Sequence, residues 1–199
     1  MLLLALLLLA TPPAIAKTSA GFNRDESASL IRYAKECLVS SINNSKPPVA
    51  PEFAKKLQRP CFVTFFIGNR VFACFGGFTP RKADLTEEIA ANVAMALKND
   101  RRSRGITADQ ISKAGVQITF PVGQPQKVGD YSVIDPLREG MFVEGKHGGV
   151  AFVPGEARTA NWAFRQALRR LGEQDASRVT VYRFRAEAIS SLNMTDSFR

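Results

Sequence analysis

The sequence predicts an α+β fold: a mixed, largely antiparallel sheet with flanking helices. Three observations carry this. Two pairs of apolar runs are joined by short turns, Gly68-Asn69 and Gly145-Lys146-His147-Gly148, in the manner of β-hairpins. Three other stretches repeat apolar residues at helical spacing behind a side chain able to cap a helix. The elements run helix, hairpin, helix, strand, hairpin, helix, strand, and a chain dominated by hairpins builds an antiparallel sheet. The 199 residues favour one domain, and 45% hydrophobic residues are enough for a core.

Lys17 to Phe22 is expected to be a short loose leader, and 17–24 a flexible segment ahead of a domain spanning 25–189. Asn23 with Glu26 makes a capping box, and Leu30, Ile31, Ala34, Cys37, Leu38 and Ile42 give a helix over about Asp25 to Ser41. The prolines at 47 and 48 end any helix and make 43–51 a loop. The first hairpin follows, with Phe62 to Ile67 apolar on both faces, the pattern of a strand covered on both sides. Asp84 opens a second helix, with Glu87 at the capping-box position and Leu85, Ile89, Val93, Ala96 and Leu97 as its buried stripe. Thr107 with Gln110 caps a short helical turn. Gly115 to Val122 alternates as a strand whose Val116, Ile118 and Phe120 share a face, and Gly123 to Pro136 is expected to be a long connection. Gly140 to Glu144 and Gly149 to Val153 form the second hairpin. Thr159 starts a helix carrying Trp162, Phe164, Ala167, Leu168 and Leu171, with Trp162 and Phe164 expected in the core, and Gly172 stops it at C′. Ser177 to Ala186 alternates as a half-exposed last strand, and 190–199 is expected to fray.

The first sixteen residues have the pattern of a signal peptide. Leu2 to Ala10 is unbroken apolar, Thr11-Pro12-Pro13 breaks it, and Ala14-Ile15-Ala16 has the A-x-A form of a cleavage site. The run is about half of the ~20 residues a spanning helix needs, so no membrane span is expected. The alternative is an N-terminal helix packed on the body. Export implies a periplasmic or secreted protein whose mature chain begins near Lys17. The formal net charge is +9. The charge is spread along the chain, its densest stretch, Lys98 to Arg104, is short, and an exported protein has no nucleic acid to meet, so nucleic acid is not an expected partner.

One set of motifs runs in a set order: Phe62-Val63-Thr64-Phe65, then Gly68, then Val71-Phe72-Ala73-Cys74-Phe75-Gly76-Gly77-Phe78-Thr79-Pro80. Further on come Glu139-Gly140-Met141-Phe142-Val143, Gly145, Gly149 to Pro154, and a closing Tyr182-Arg183-Phe184 strand. In this order they resemble the AMMECR domain family, protein A of the AmmeMemoRadiSam systems, and the resemblance covers about Asp25 to Ile189. It implies an α/β fold with antiparallel sheet, a cleft beside Cys74, and Memo-type and radical-SAM proteins as partners. Phe72-Ala73 stands where the family has Arg-Gly before its cysteine, Pro154-Gly155 where it has Pro-Gln, and Ser103-Arg104 where it has Phe-Pro.

Cys74 is the candidate catalytic residue. One reading makes it a thiolate activated by the amides of Gly76-Gly77 and the helix start at Asp84, since a thiol otherwise titrates near ~8.5. The other makes it a small packed residue. The candidate ligand-binding residues are Gly76, Gly77, Thr79 and Arg81 after the first hairpin and His147 in the turn of the second; the cleft is expected between the Cys74 strand end, Gly76-Gly77 and the Gly145–Gly149 turn, and the ligand is expected to be a small molecule or peptide. This describes a ligand- or partner-binding module, which the resemblance makes an accessory to protein or peptide modification, with a Cys74-dependent enzyme as the alternative. No cofactor is expected: there is no G-x-G-x-x-G and no Gly-Lys-Ser/Thr loop. No metal is expected either, since one histidine makes no metal-spaced set, and Asp84, Glu87 and Glu88 are better explained as helix capping. Arg183 and Arg185 are expected on an open face, either solvated or meeting an acidic partner. If Ile67 faces Arg70 in an unbroken hairpin, Val63 faces Cys74 and Cys61 faces Gly76. Cys61 and Cys74 then share a face about 7–8 Å apart, at or beyond disulfide reach. Cys37 falls on a buried helix stripe.

Overall fold

A computed structural model describes residues 20–192. The proposed signal segment and most of the expected frayed end lie outside them. Six strands form one sheet in the order β2-β1-β3-β6-β4-β5, with β1 Phe62–Ile67, β2 Arg70–Gly76, β3 Gly115–Val128, β4 Gly140–Gly145, β5 Gly148–Phe152 and β6 Thr180–Ser190. Every pairing is antiparallel. Among the described residues four α-helices accompany it: α1 Arg24–Asn43, α2 Leu85–Asn99, α3 Ala108–Ser112 and α4 Ala160–Leu171.

The caps sit where local chemistry requires them. The Asn23–Glu26 box closes on α1, and Thr107–Gln110 closes on α3. Thr159 accepts from Trp162 N at the start of α4, and Gly172 ends it with φ 73°. Asp84 accepts from Thr86 N and Glu87 N. No described residue belongs to a helix long and apolar enough to cross a membrane.

The sheet curls. Residues of alternating parity point either outward, under helices, or inward. Val63, Phe65, Val116, Ile118 and Phe120 face outward into a core shared with α1 and α2, and Met141, Val143 and Phe152 face outward against α4. Phe62, Phe184, Phe142 and Ala151 face inward. Phe62 on β1 stacks on Phe184 on β6 at 6.0 Å although β3 lies between their strands, so the inner face is strongly concave.

Several expectations are corrected. The hairpin pairs Ile67 with Arg70, but the register then shifts: Phe66 pairs with Val71 and Phe65 with Ala73, leaving Phe72 as an extra residue. This bulge moves Cys74 opposite Thr64 rather than Val63, and a one-residue slip changes the face of everything beyond it. Cys61 and Cys74 therefore lie on opposite faces, and all three cysteines are free. The leader is not loose throughout, since Ala20 and Phe22 are buried; Phe22 packs on Phe120 at 5.3 Å. β3 continues through Gly123 and Pro125, where an irregularity in its pairing with β6 takes up the break, and ends at Val128. β6 lies inside the sheet between β3 and β4, and it reaches Ser190, which is buried. Trp162 is 46% exposed rather than in the core.

Candidate functional site

The curl brings the two edge strands to one cleft of about 810 Å³. β2 contributes Cys74, Phe75 and Gly76, continued by Gly77 and Phe78, and β5 contributes Gly149, Val150 and Ala151. The floor is aromatic: Phe78 meets Phe62 at 5.2 Å, Phe142 at 5.1 Å and Phe184 at 4.9 Å, each edge to face. The rim is basic. Arg101 and Arg102 come from the turn after α2, and Arg169 and Arg170 from the last turn of α4.

Two glycines let the walls close in. A Cβ on Gly76 would collide with the Cys61 carbonyl and Phe62 Cα, and one on Gly149 would occupy the Phe142 ring. The loop that carries Phe78 is tied down behind the cleft. Glu88, 1% exposed on α2, accepts from Arg81 N at 2.8 Å and Lys82 N at 3.1 Å. Asn92, one turn on, donates to the Cys61 carbonyl at 2.9 Å, and the Arg81 guanidinium closes the set on Glu88 and Asn92. Glu88 thus has a buried structural role that capping does not describe.

Cys74 is half-buried on the cleft wall. Its N–H donates to Asp100 Oδ2 at 3.0 Å, and its sulfur accepts from Thr64 Oγ1 at 3.2 Å. The activating surroundings expected from the sequence are reversed. The nearby helix end is the C-terminus of α2, capped by Asp100, and not the N-terminus at Asp84. Burial first, then the charge of Glu156, pushes the thiol up to about 12, against the opposing effects of Thr64 and Arg102. Cys37 is pushed up to about 11 and Cys61 to about 12, again chiefly by burial.

A strap crosses one side of the gap. Arg102 binds Asp100 through Nε, at 3.0 and 3.1 Å, and a terminal nitrogen, at 2.7 Å, and reaches Glu156, beyond β5, at 3.0 Å. Burial opposes the charges of both partners. The pairing outweighs it, holding Asp100 below the usual carboxylate range and Arg102 above the ordinary arginine value.

Of the residues singled out in the sequence, Cys74, Gly76 and Gly77 lie together on the cleft. Thr79 is exposed and outside the lining, Arg81 is turned to Glu88, and His147 is exposed at the β4–β5 turn, outside the lining although Gly149 is within it. Sequence reasoning missed the arginines. Two Arg-Arg pairs at helix C-terminal ends were the available signal, but a cation there also satisfies the helix dipole and needs no ligand to explain it.

A family model described as AMMECR1 fits residues 31–189. The chain belongs to the AMMECR1 family. No curated protein matches the chain. Among solved structures, the AMMECR1 domain is similar to the uncharacterised protein PH0010 from Pyrococcus horikoshii, with a TM-score of 0.59 and 18% identity over 80% of this chain and 88% of that one. At that identity the likeness speaks for the fold alone. It agrees with an α+β domain built on one antiparallel sheet.

Proposed function

We propose that this AMMECR1 domain is a binding module whose cleft takes a ligand with an apolar or aromatic part and an anionic group, either a small molecule or a peptide. One observation carries the reading. Phenylalanine rings floor the cleft and four arginines rim it, while its only lining carboxylate, Asp100, is already held by Arg102. Apolar pockets with a few convergent polar groups are the usual form of ligand sites. Cys74 serves here as a wall residue, since a thiol held protonated at neutral pH is a poor nucleophile.

An aromatic sulfonate, 1-anilinonaphthalene-8-sulfonate, is a suitable probe. It should bind the folded protein with saturable fluorescence, and Phe78→Ala and Arg169→Gln should each weaken it about tenfold or more while the circular dichroism spectrum is kept. Parent-like binding by both variants would remove the reading.

Two further proposals concern setting. Residues 1–16 direct export and are removed, a reading supported by the Leu2–Ala10 run and Ala14-Ile15-Ala16. The intact mass of protein recovered from the periplasm tests this, and retention of residues 1–16 defeats it. The module also serves protein or peptide modification beside Memo-type and radical-SAM proteins, a role that rests on family resemblance. Affinity purification of the chain at native abundance should bring down such partners, and their consistent absence would count against it.

A further inference from the structure

Two cavities meet at Arg170. The second, of about 560 Å³, opens beyond the Arg102–Glu156 strap, and Arg70, Val71, Arg158 and Trp162 contribute to its lining. Arg102, Gln166 and Arg170 line both cavities. Arg102 is committed to Asp100 and Glu156. Arg170 has no carboxylate within ion-pair distance among the described residues, and neither do Arg70, Arg101, Arg158 and Arg169. The Arg170 guanidinium instead lies over the Phe152 ring at 4.7 Å. Partial desolvation first, then the neighbouring Arg102 charge, lowers its pKa from the ordinary arginine value, against the opposing charges of Glu156, which also lines the second cavity, and Asp100. The Arg170 side chain is exposed, so its guanidinium is open to a carboxylate brought by a ligand.

Each cavity also offers an apolar surface, and the two are different. One is the phenylalanine floor already described. The other is Trp162, 46% exposed and edge-on to Phe152 at 5.7 Å. A cation with an aromatic basin on each side matches an extended chain, in which side chains on one face recur about every 7 Å. A compact anion would satisfy Arg170 and leave a basin empty.

We propose that the two cavities form one bipartite site for an extended acidic peptide. One carboxylate pairs with Arg170, and flanking apolar side chains enter the phenylalanine-floored cleft and the Trp162 basin. The proposal rests on the reading of the first cleft as a binding site. It adds the second basin, the pivot and the peptide class.

Trp162 is the only tryptophan in the chain, so its emission reports on the second basin. The probe is acetyl-Gly-Phe-Glu-Glu-Glu-Leu-Gly-amide, whose Phe, central Glu and Leu share one face of an extended chain, unlabelled for emission and fluorescein-labelled for anisotropy. Binding should saturate in anisotropy and shift Trp162 emission with the same midpoint. Arg170→Gln should weaken it about tenfold or more, and Arg170→Lys should restore part of the loss. Replacing the glutamates of the peptide by glutamine should weaken it similarly. Arg165→Gln, at an exposed position of α4 outside both linings, should change nothing. Unmoved Trp162 emission with peptide bound, or parent-like affinity in Arg170→Gln, would overturn the bipartite site. So would stronger displacement by a single-stranded oligonucleotide of equal charge than by unlabelled peptide. If the sulfonate dye binds in a Phe78-dependent way and the peptide does not, the inference falls and the single-cleft reading stands. Loss of both would remove the two together.

Discussion

On the outer face of the sheet, Val63, Phe65, Val116 and Ile118 are completely covered and belong to a core shared with α1 and α2. On the inner face, Phe62 on β1 and Phe142 on β4, with Phe78 from the loop after β2, line a cleft rimmed by Arg101, Arg102, Arg169 and Arg170. Both faces come from the same alternation along the strands of one sheet. The outer face is closed by helices whose apolar stripes match it. The inner face is closed only partly, by ring-on-ring contacts and one strap of charged side chains, and so it keeps room for another molecule. Burial holds the outer face together. The inner face spends part of its apolar surface on a cavity, a common trait of binding sites.

Truncation should separate the two faces most sharply. Phe65→Ala removes a ring with no exposure that stacks on Phe72 at 6.0 Å. It should cost about 3–5 kcal/mol in urea unfolding and leave dye affinity of the folded protein unchanged. Dye binding lost without loss of stability would break the division between structural and binding faces.

Glu88→Ala comes next, because Glu88 belongs to both regions: it is buried on α2 yet fixes the loop that delivers Phe78. The change strands the amides of Arg81 and Lys82. A cost of about 2–3 kcal/mol is expected, below that of a fully buried pair because Arg81 is 42% exposed. Dye affinity should fall with it. A stability loss with parent-like affinity would show that Phe78 holds its place without the clamp.

The thiols give a pH test on both faces. Cys61 points outward and Cys74 inward, yet both are pushed up to about 12, and Cys37 to about 11. The folded protein therefore keeps these protons after an unfolded chain releases them near ~8.5. Their contribution to stability should be complete below that pH and be lost progressively between about pH 9 and pH 12. Alkylation of Cys74 by iodoacetamide at pH 7 should be much slower than that of glutathione. Reaction at or above the glutathione rate would restore Cys74 as a nucleophile.

Arg183→Ala should have the smallest effect. Its contact with Glu139 is long, at 3.8 Å, and the side chain is 43% exposed, so about 0.5 kcal/mol or less is expected by thermal unfolding.

Much of the fold was legible because its signals are local. Asn23 with Glu26, Thr107 with Gln110, Thr159 and Gly172 each mark a helix end through a hydrogen bond made within a few residues. Both hairpins were legible through their turns. Strand extent was less so: Gly123 and Pro125 look like breaks, but pairing with β6 carries β3 past them. Trp162 was misplaced because helical periodicity cannot tell a residue packed on the core from one standing over a cavity at its margin. The candidate site was legible in part. Cys74, Gly76 and Gly77 stand together in sequence and the turn of the second hairpin was expected to face them, which holds at Gly149, while Val150, Ala151 and the arginines after α2 and on α4 arrive from distant positions that no local pattern marks.

The first hairpin divides what sequence determined from what tertiary structure decided. Its turn at Gly68-Asn69, its apolar strands and the cysteine near its end follow from the residues themselves. The face that Cys74 occupies does not. An unbroken ladder from Ile67–Arg70 would have turned the thiol into the outer core beside Cys61. The extra residue Phe72 lies against Phe65 and shifts the register by one, which turns Cys74 onto the cleft wall beside Thr64. A bulge is selected by the packing of both faces at once. That balance involves helices and strands far along the chain, and no local pattern records it.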